Sequence, residues 1–301
     1  MRIGELLRYR YPCISFEFFP PKTDAGVENL MQTVKSLRIL NPGFVSVTYG
    51  AGGSSRARTL EVVKRIKGEL EIEPMAHLTC VGSTREELRT LLRELEASGI
   101  ENIMALRGDP PQGEERFAPT VGGFRYATDL IAMLAAEFSF SIGGGAYPEK
   151  HPEAGDVDAD VRVAALKVAA GASFLVTQFF FQNDAYFAYV DRLRAASVDV
   201  PVIPGIMPIT NYAGVARMLK MNGGRMPQRL LAELEARVDE PEAVAELGVA
   251  FTALQCRELL ARGAPGLHFY TLNKSTATRA VVSALLASNA LHEPVPVIAP
   301  H

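Results

Sequence analysis

A chain of 301 residues, 48% apolar and 22% charged with a formal net charge of −3, has the composition of a globular protein with a large core. Acids and bases are interspersed, so there is neither a basic stripe for nucleic acid nor an acidic solvating block. The three cysteines, Cys13, Cys80 and Cys256, lie far apart without metal-ligand spacing, which reads as buried free thiols in a reducing compartment and no metal site.

Residues 1–10 are charged and lack the apolar centre of a signal peptide, and no run of about 18 apolar residues occurs. The expectation is a cytoplasmic protein with no membrane span. The first strand is predicted at 13–18. Alternation turns Phe16 and Phe18 to one face and Glu17 to the other, toward the interior of a barrel. A carboxylate there is costly unless paired or protonated, and desolvation raises its pKa toward that of a general acid. A buried glutamate paired with a core arginine is the structural alternative. Val27, Leu30, Met31, Val34 and Leu37 form a helical stripe.

Strand 44–48 ends at Thr48-Tyr49, and strand 75–79 carries His77 and Thr79. A lone strand histidine is more often a satisfied core residue than a catalyst. Thr84-Arg85-Glu86-Glu87 is a capping box for a helix through Leu88, Leu91, Leu92 and Leu95, which Gly99 stops. Strand 102–106 opens into Arg107-Gly108-Asp109-Pro110-Pro111: a cation, a flexible step and a carboxylate, then a stiff exit. On the residues alone, a ligand grip and an Arg107–Asp109 loop ion pair fit equally well.

Strand 139–143 runs into Gly143-Gly144-Gly145, read as a close backbone approach to a ligand, with a polar loop behind it carrying Tyr147 and His151. A helix at 161–170 leads to strand 174–178, which ends at Thr177-Gln178 ahead of Phe179, Phe180 and Phe181. The aromatics read as core and pocket wall, the amide as a hydrogen-bonding head. Helix 185–195, strand 202–205, helix 212–221, a loop with a short helix over 222–241 and a long helix over 243–262 follow. The apolar face of 243–259 serves either packing on its own barrel or a contact in a homo-oligomer. Strand 267–271 ends in Tyr270-Thr271-Leu272-Asn273, and the Pro-containing tail 291–301 reads as loosely ordered.

Eight near-continuously apolar strands alternating with helices predict an α/β fold, a single-domain (β/α)8 TIM barrel over residues 1–290. An open doubly wound sheet would carry a Gly-x-Gly-x-x-Gly turn after its first strand, where this chain has Phe19-Pro20-Pro21-Lys22. In a barrel the site lies at the C-terminal strand ends, where these polar groups gather. Scattered histidines set aside a metal-dependent hydrolase, and the lack of a strand lysine sets aside a Schiff-base aldolase.

Several ordered blocks carry a more specific signal: Phe16-Glu17-Phe18-Phe19-Pro20-Pro21-Lys22, Val47-Thr48-Tyr49-Gly50-Ala51, His77-Leu78-Thr79, Leu106-Arg107-Gly108-Asp109, Ala146-Tyr147-Pro148-Glu149-Lys150-His151-Pro152-Glu153, Thr177-Gln178-Phe179-Phe180-Phe181, Pro204-Gly205-Ile206-Met207-Pro208 and His268-Phe269-Tyr270-Thr271-Leu272-Asn273. Together they resemble the methylenetetrahydrofolate reductase family, in its short bacterial form. The resemblance implies flavin adenine dinucleotide (FAD) as cofactor, NADH or NADPH as reductant, and ping-pong reduction of 5,10-methylenetetrahydrofolate to 5-methyltetrahydrofolate. It makes Glu17 the general acid and Asp109 the second catalytic carboxylate. Thr48, Tyr49, Ala51, His77, Arg107, Gly108, Asp109, Ala127, Tyr147, His151, Ala154, Asp160 and Lys167 match cofactor-binding positions, with His151 and Lys167 at the diphosphate. Glu17, Asp109, Gln178, Tyr270 and Lys274 match substrate-binding positions. Val163 and Leu166 stand where the family often has polar residues, and Gly214 and Met218 replace a glutamine and a phenylalanine. A flavin-free folate-binding barrel, of methyltransferase or carrier type, is the alternative.

Overall fold

The computed structural model describes residues 1–9, 12–49, 53–110 and 117–291. Eight parallel strands close into a barrel in sequence order: β1 (Cys13–Phe18), β2 (Phe44–Val47), β3 (Pro74–Thr79), β4 (Asn102–Leu106), β5 (Ser141–Ala146), β6 (Phe174–Phe179), β7 (Val202–Ile206) and β8 (Gly266–Tyr270), which pairs back with β1. Helix α1 (Ile3–Tyr9) precedes the barrel. The crossover helices are α2 (Asp24–Leu37), α3 (Gly53–Leu70), α4 (Arg85–Ala97), α5 (Ala127–Glu137), α6 (Val157–Ala169) and α7 (Asn183–Ala195). Three helices, α8 (Tyr212–Asn222), α9 (Gln228–Glu235) and α10 (Pro241–Ala261), separate β7 from β8, and α11 (Thr276–Ala287) follows. The expected barrel is therefore what the chain forms; the tail 292–301 lies outside the described residues.

Period-two alternation sorts the strand residues into two cores. Outward residues such as Phe16, Phe18, Val45, Val47, Leu78, Ile103 and Phe269 pack under the helices. Inward residues Cys13, Phe44, Met75, Met104, Phe174, Val176 and Ile203 form a smaller cluster with Ile3, Leu6 and Leu7 of α1. Helix α1 thus stoppers the N-terminal end of the barrel. Its backbone is pinned there, with Ile3 N donating to Asn102 Oδ1 at 2.7 Å and Gly4 N to Ser141 Oγ at 3.0 Å. Chemistry is left to the opposite end.

The helix signals hold where the sequence carried caps. Thr84 Oγ1 accepts from Glu87 N at 3.2 Å while Glu87 Oε2 accepts from Thr84 N at 2.8 Å, and Gly99 takes φ +73 just past the helix. Helix α10 buries Val244, Cys256, Leu259 and Leu260 against its own barrel and packs on α11 and α7. No helix among the described residues is long and apolar enough to cross a membrane. All three cysteines are buried, and none is in a disulfide.

One strand differs from expectation. The fifth strand runs over Ser141–Ala146, so the glycine run is the strand itself rather than a ligand-facing loop after it. Neighbouring side chains fill the space that glycine leaves. A Cβ on Gly143 would lie 2.7 Å from the Phe174 ring and 3.0 Å from Met104 Sδ inside the barrel. A Cβ on Gly144 would lie 3.1 Å from Leu175 and 3.4 Å from Lys167 Cδ outside it. Gly143→Ala is expected to lower stability by about 1–3 kcal/mol through overpacking, read as a lower urea midpoint. Gly68→Ala, where nothing lies within 4 Å of the new Cβ, should leave the midpoint equal or higher.

Candidate active site

Glu17 sits where strand alternation puts it, buried inside the barrel near the C-terminal end of β1. The β1–β8 register sets Ser15 opposite His268 and Glu17 opposite Tyr270, and the β1–β2 register sets Glu17 opposite Ser46. Three side chains converge on Glu17 Oε2: His268 Nε2 at 3.4 Å, Ser46 Oγ at 3.5 Å and His77 Nε2 at 3.4 Å. The His77 contact is a charge-pair distance without hydrogen-bond alignment. No core arginine pairs with Glu17 among the described residues; histidines stand in that place. Its backbone carbonyl accepts from Thr271 Oγ1 at 2.6 Å, so β1 and the end of β8 are stapled at this residue.

The electrostatics differ from the sequence expectation of a raised acid. Burial does push the Glu17 carboxyl up, but His77, His268 and Ser46 together hold it below the ordinary carboxylate value. That pull needs an imidazolium, and burial pushes His77 down, away from its charged form.

The rim above is built from loops. Gly108 takes φ +88 and a Cβ there would meet Val81 Cγ2 at 2.8 Å and Thr79 Cβ at 3.0 Å, so only glycine lets the chain cross the end of β3. Asp109 follows it, exposed. The loop ion pair with Arg107, one of the two readings the sequence left open, does not form; no Arg107–Asp109 bridge occurs among the described residues. The Arg107 guanidinium instead grips Glu153 through both nitrogens, at 2.6 and 2.7 Å, and lies 5.1 Å from the centroid of the Phe117 ring. Glu153 closes one of the blocks that carry the family resemblance, but the sequence reading gave it no role.

Lys167 is buried on α6 and donates to Gly145 O at 2.6 Å, reaching over the strand that Gly144 leaves bare. Burial pushes its pKa down to about 8, against the pull of Asp160. Asp160 Oδ2 accepts from His151 N at 2.6 Å, and His151 packs edge-on to Tyr147 with centroids 4.7 Å apart. Burial pushes the Tyr147 hydroxyl to about 12. Ala154 N closes the same loop on His151 O at 2.9 Å, and Ala127 begins α5 at this end. Thr48 and Tyr49 follow β2 on this rim, half-buried, with Thr48 O accepting from Thr59 Oγ1 at 2.9 Å. Ala51 lies outside the described residues.

On the far side a register shift between Val176 and Phe179 leaves Thr177 and Gln178 bulged against β7. Gln178 Oε1 accepts from Phe179 N at 3.0 Å, and Tyr270 Oη donates to Thr177 O at 2.7 Å across Gly205. Lys274 is exposed on the turn after β8. Gly214 lies in the first turn of α8, its N–H donating to Asn211 Oδ1 at 2.7 Å, and Met218 packs on the cluster of Phe179 and Phe181. Val163 and Leu166 are exposed on α6, whereas Asp160 and Lys167 are buried on it. Among the described residues no group of histidine, cysteine and carboxylate side chains is placed to hold a metal. The residues missed in the sequence, Ser15, Ser46 and His268, share Glu17's face; stepping back two positions from Tyr270 would have marked His268 as inward.

Comparison with known proteins decides the family. The family model for methylenetetrahydrofolate reductase matches residues 2–286. The chain belongs to the methylenetetrahydrofolate reductase family. It is 39% identical over 273 residues to 5,10-methylenetetrahydrofolate reductase of Escherichia coli, covering 90% of each chain. It is 40% identical over 270 residues to methylenetetrahydrofolate reductase (NADH) 1 of Arabidopsis thaliana, covering 86% of this chain and 46% of that protein. The chain thus spans about half the length of its plant and fission-yeast relatives, 45% to 50%. Among solved structures, a Clostridium thermocellum protein that binds two copies of 5-methyl-5,6,7,8-tetrahydrofolic acid superposes with TM-score 0.63 at 15% identity, covering 94% of this chain and 97% of that one. Dihydropteroate synthase from Xanthomonas albilineans gives 0.54 at 16%, covering 95% of both. At these identities the likeness is one of fold.

Lys167 yields a pH prediction. Its folded pKa, about 8, is below the ordinary lysine value of 10.5. The unfolded chain therefore binds more protons between those values, and stability contributed by this residue rises with pH there. Relative to Lys167→Met, the wild-type chain should gain about 1–3 kcal/mol between pH 8 and 10.5, measured as paired urea unfolding curves. A constant difference across that range would show that Lys167 is not desolvated.

Proposed function

We propose that the chain reduces 5,10-methylenetetrahydrofolate to 5-methyltetrahydrofolate, with NADH or NADPH as reductant and FAD as resident cofactor, in a ping-pong sequence. The observation that carries this reading is the buried carboxyl of Glu17 among two imidazoles and a hydroxyl, at the open end of a barrel of this family.

The rim residues fit a flavin dinucleotide by the chemistry of their donors. Lys167, Arg107 and His151 offer cationic or N–H donors suited to a diphosphate, and Lys167 is a buried ammonium whose protein hydrogen bond goes to a carbonyl. Thr48, Tyr49, His77, Gly108, Asp109, Ala127, Tyr147, Ala154 and Asp160 are the remaining described positions assigned to the cofactor, with Ala51 assigned by resemblance alone. When bound, the flavin supplies the two-electron carrier between nicotinamide and folate.

The chain's own residues do the rest. Glu17 delivers a proton to the nitrogen that departs as the methylene bridge opens. Asp109 supplies negative charge for the resulting cationic iminium of the substrate, an assignment that its exposure on the rim supports. Gln178 and Tyr270 hold the pterin side, with Tyr270 fixed by its bond to Thr177 O. Lys274 meets the acidic tail of the folate. A cytoplasmic location accords with three cysteines outside any disulfide.

The first test is the visible spectrum of the purified protein before and after anaerobic NADH or NADPH. Flavin bands that bleach are expected, and the faster reductant names the preferred nicotinamide. A colourless protein that takes up no added flavin overturns the reading in favour of a flavin-free folate barrel. In Glu17→Gln, folate reduction is expected to fall at least about 100-fold while bleaching by the nicotinamide persists. Equal loss of both half-reactions would remove Glu17 from its role.

A further inference from the structure

The rim of the barrel holds a carboxylate that the proposed reaction leaves unused. Glu153 grips the Arg107 guanidinium through both oxygens, Oε2 on Nη1 at 2.6 Å and Oε1 on Nη2 at 2.7 Å. This end-on fork is the geometry in which a guanidinium also takes a phosphate. Arg107 Nε is turned to Gly108 O at 3.4 Å. The two N–H groups left over point away from each other, so no second anion finds a forked bond while Glu153 is in place.

The two partners are unequal. The Arg107 side chain is 22% exposed and lies against the Phe117 ring, whereas that of Glu153 is 56% exposed. Arg107 is the fixed half, and Glu153 returns to water with little loss of contact. Only its side chain has to turn, because the backbone around it is tied. Glu153 N donates to His151 Nδ1 at 3.1 Å, and Ala154 N donates to His151 O at 2.9 Å. The bond to Arg107 holds the Glu153 carboxyl below the usual carboxylate range, so the pair is ionic at neutral pH.

We propose that Glu153 is a built-in stand-in for the anionic part of the cofactor: it occupies the Arg107 fork until a diphosphate displaces it into solvent. Glu153 thereby sets how readily the cofactor is captured. The measured affinity is the intrinsic affinity scaled by the fraction of molecules whose fork is open. For a half-exposed forked pair the closed form outweighs the open one by about threefold to tenfold. Since the closure acts before binding, it slows association and leaves release unchanged. The naming of the anion as a flavin diphosphate rests on the proposed reductase reading; the exchange at Arg107 does not.

Stopped-flow fluorescence of FAD added back to flavin-free protein tests the exchange without turnover. Glu153→Gln is expected to bind FAD about threefold to tenfold more tightly than the wild-type chain, with faster association and an unchanged release rate. Faster release or weaker binding would make Glu153 a support for Arg107 and overturn the proposal, and so would equal affinity. Removing a negative charge tightens any nearby anion, so the comparison is repeated on Arg107→Gln. There the gain from Glu153→Gln should vanish; a gain that persists overturns the exchange. Inorganic pyrophosphate, titrated calorimetrically into the same flavin-free proteins, repeats the test without the rest of the cofactor. If the wild-type chain takes up no flavin, the proposed function fails and pyrophosphate decides the inference. The same gain sustains it; equal affinity, or no binding to either protein, overturns it.

Discussion

The seam that closes the barrel governs the rest of this structure. Strands β1 and β8 meet in one register, Cys13 against Gly266 through Glu17 against Tyr270. A Cβ on Gly266 would fall 2.0 Å from Cys13 O, so the seam closes only because that residue is glycine. The register brings Ser15 to His268, Thr271 to the Glu17 carbonyl and the Glu17 carboxyl to the imidazole. A slip of one residue would exchange the inner and outer faces of β1, putting Phe16 and Phe18 among histidines and Glu17 under α-helices. Stopper helix α1 packs from below on Cys13 of β1 and on the inward residues of its neighbours.

The barrel interior is graded along its axis. At the N-terminal end it is apolar and filled by Phe44, Met75, Met104, Phe174 and α1. Midway it turns polar with Ser15, Ser46 and His268, and at the open end it carries Glu17, His77 and Tyr270. This gradient reconciles burial with charge. The lower layer excludes water, and the upper layers supply hydrogen-bond partners that make a buried carboxyl tolerable. On the rim the problem is different: Lys167 is desolvated on a carbonyl while Arg107 is already gripped by Glu153. Any anionic ligand there competes with Glu153 for the guanidinium.

Local signals made much of this legible in the sequence. Phe-Glu-Phe alternation is enough to turn Glu17 inward, and the Thr84 capping box and Gly99 stop are written in adjacent residues. The glycine run of β5 was misplaced because glycine weakens strands on average; what overrides that is the bulk of Phe174, Met104 and Lys167, from a strand and a helix elsewhere in the chain. The downward hold on Glu17 was likewise hidden, since His268 lies 251 residues away and only barrel closure joins them. Arg107 found Glu153 rather than its neighbour Asp109 because the positive φ of Gly108 carries the chain past the guanidinium.

One contact at the seam has a mechanical meaning. Just beyond β8, Leu272 and Asn273 both adopt positive φ, and the Asn273 amide accepts from Phe19 N at 2.8 Å while donating to Phe19 O at 2.9 Å. A side chain here imitates the edge of a strand and lengthens the β1–β8 pairing by one residue above the barrel. The Phe19-Pro20-Pro21 segment is thereby tied to the turn carrying Lys274. Ligand pressure on the exposed Phe19 ring would be passed straight to the strand that holds Tyr270 and His268, so the two walls of the cleft move as one piece.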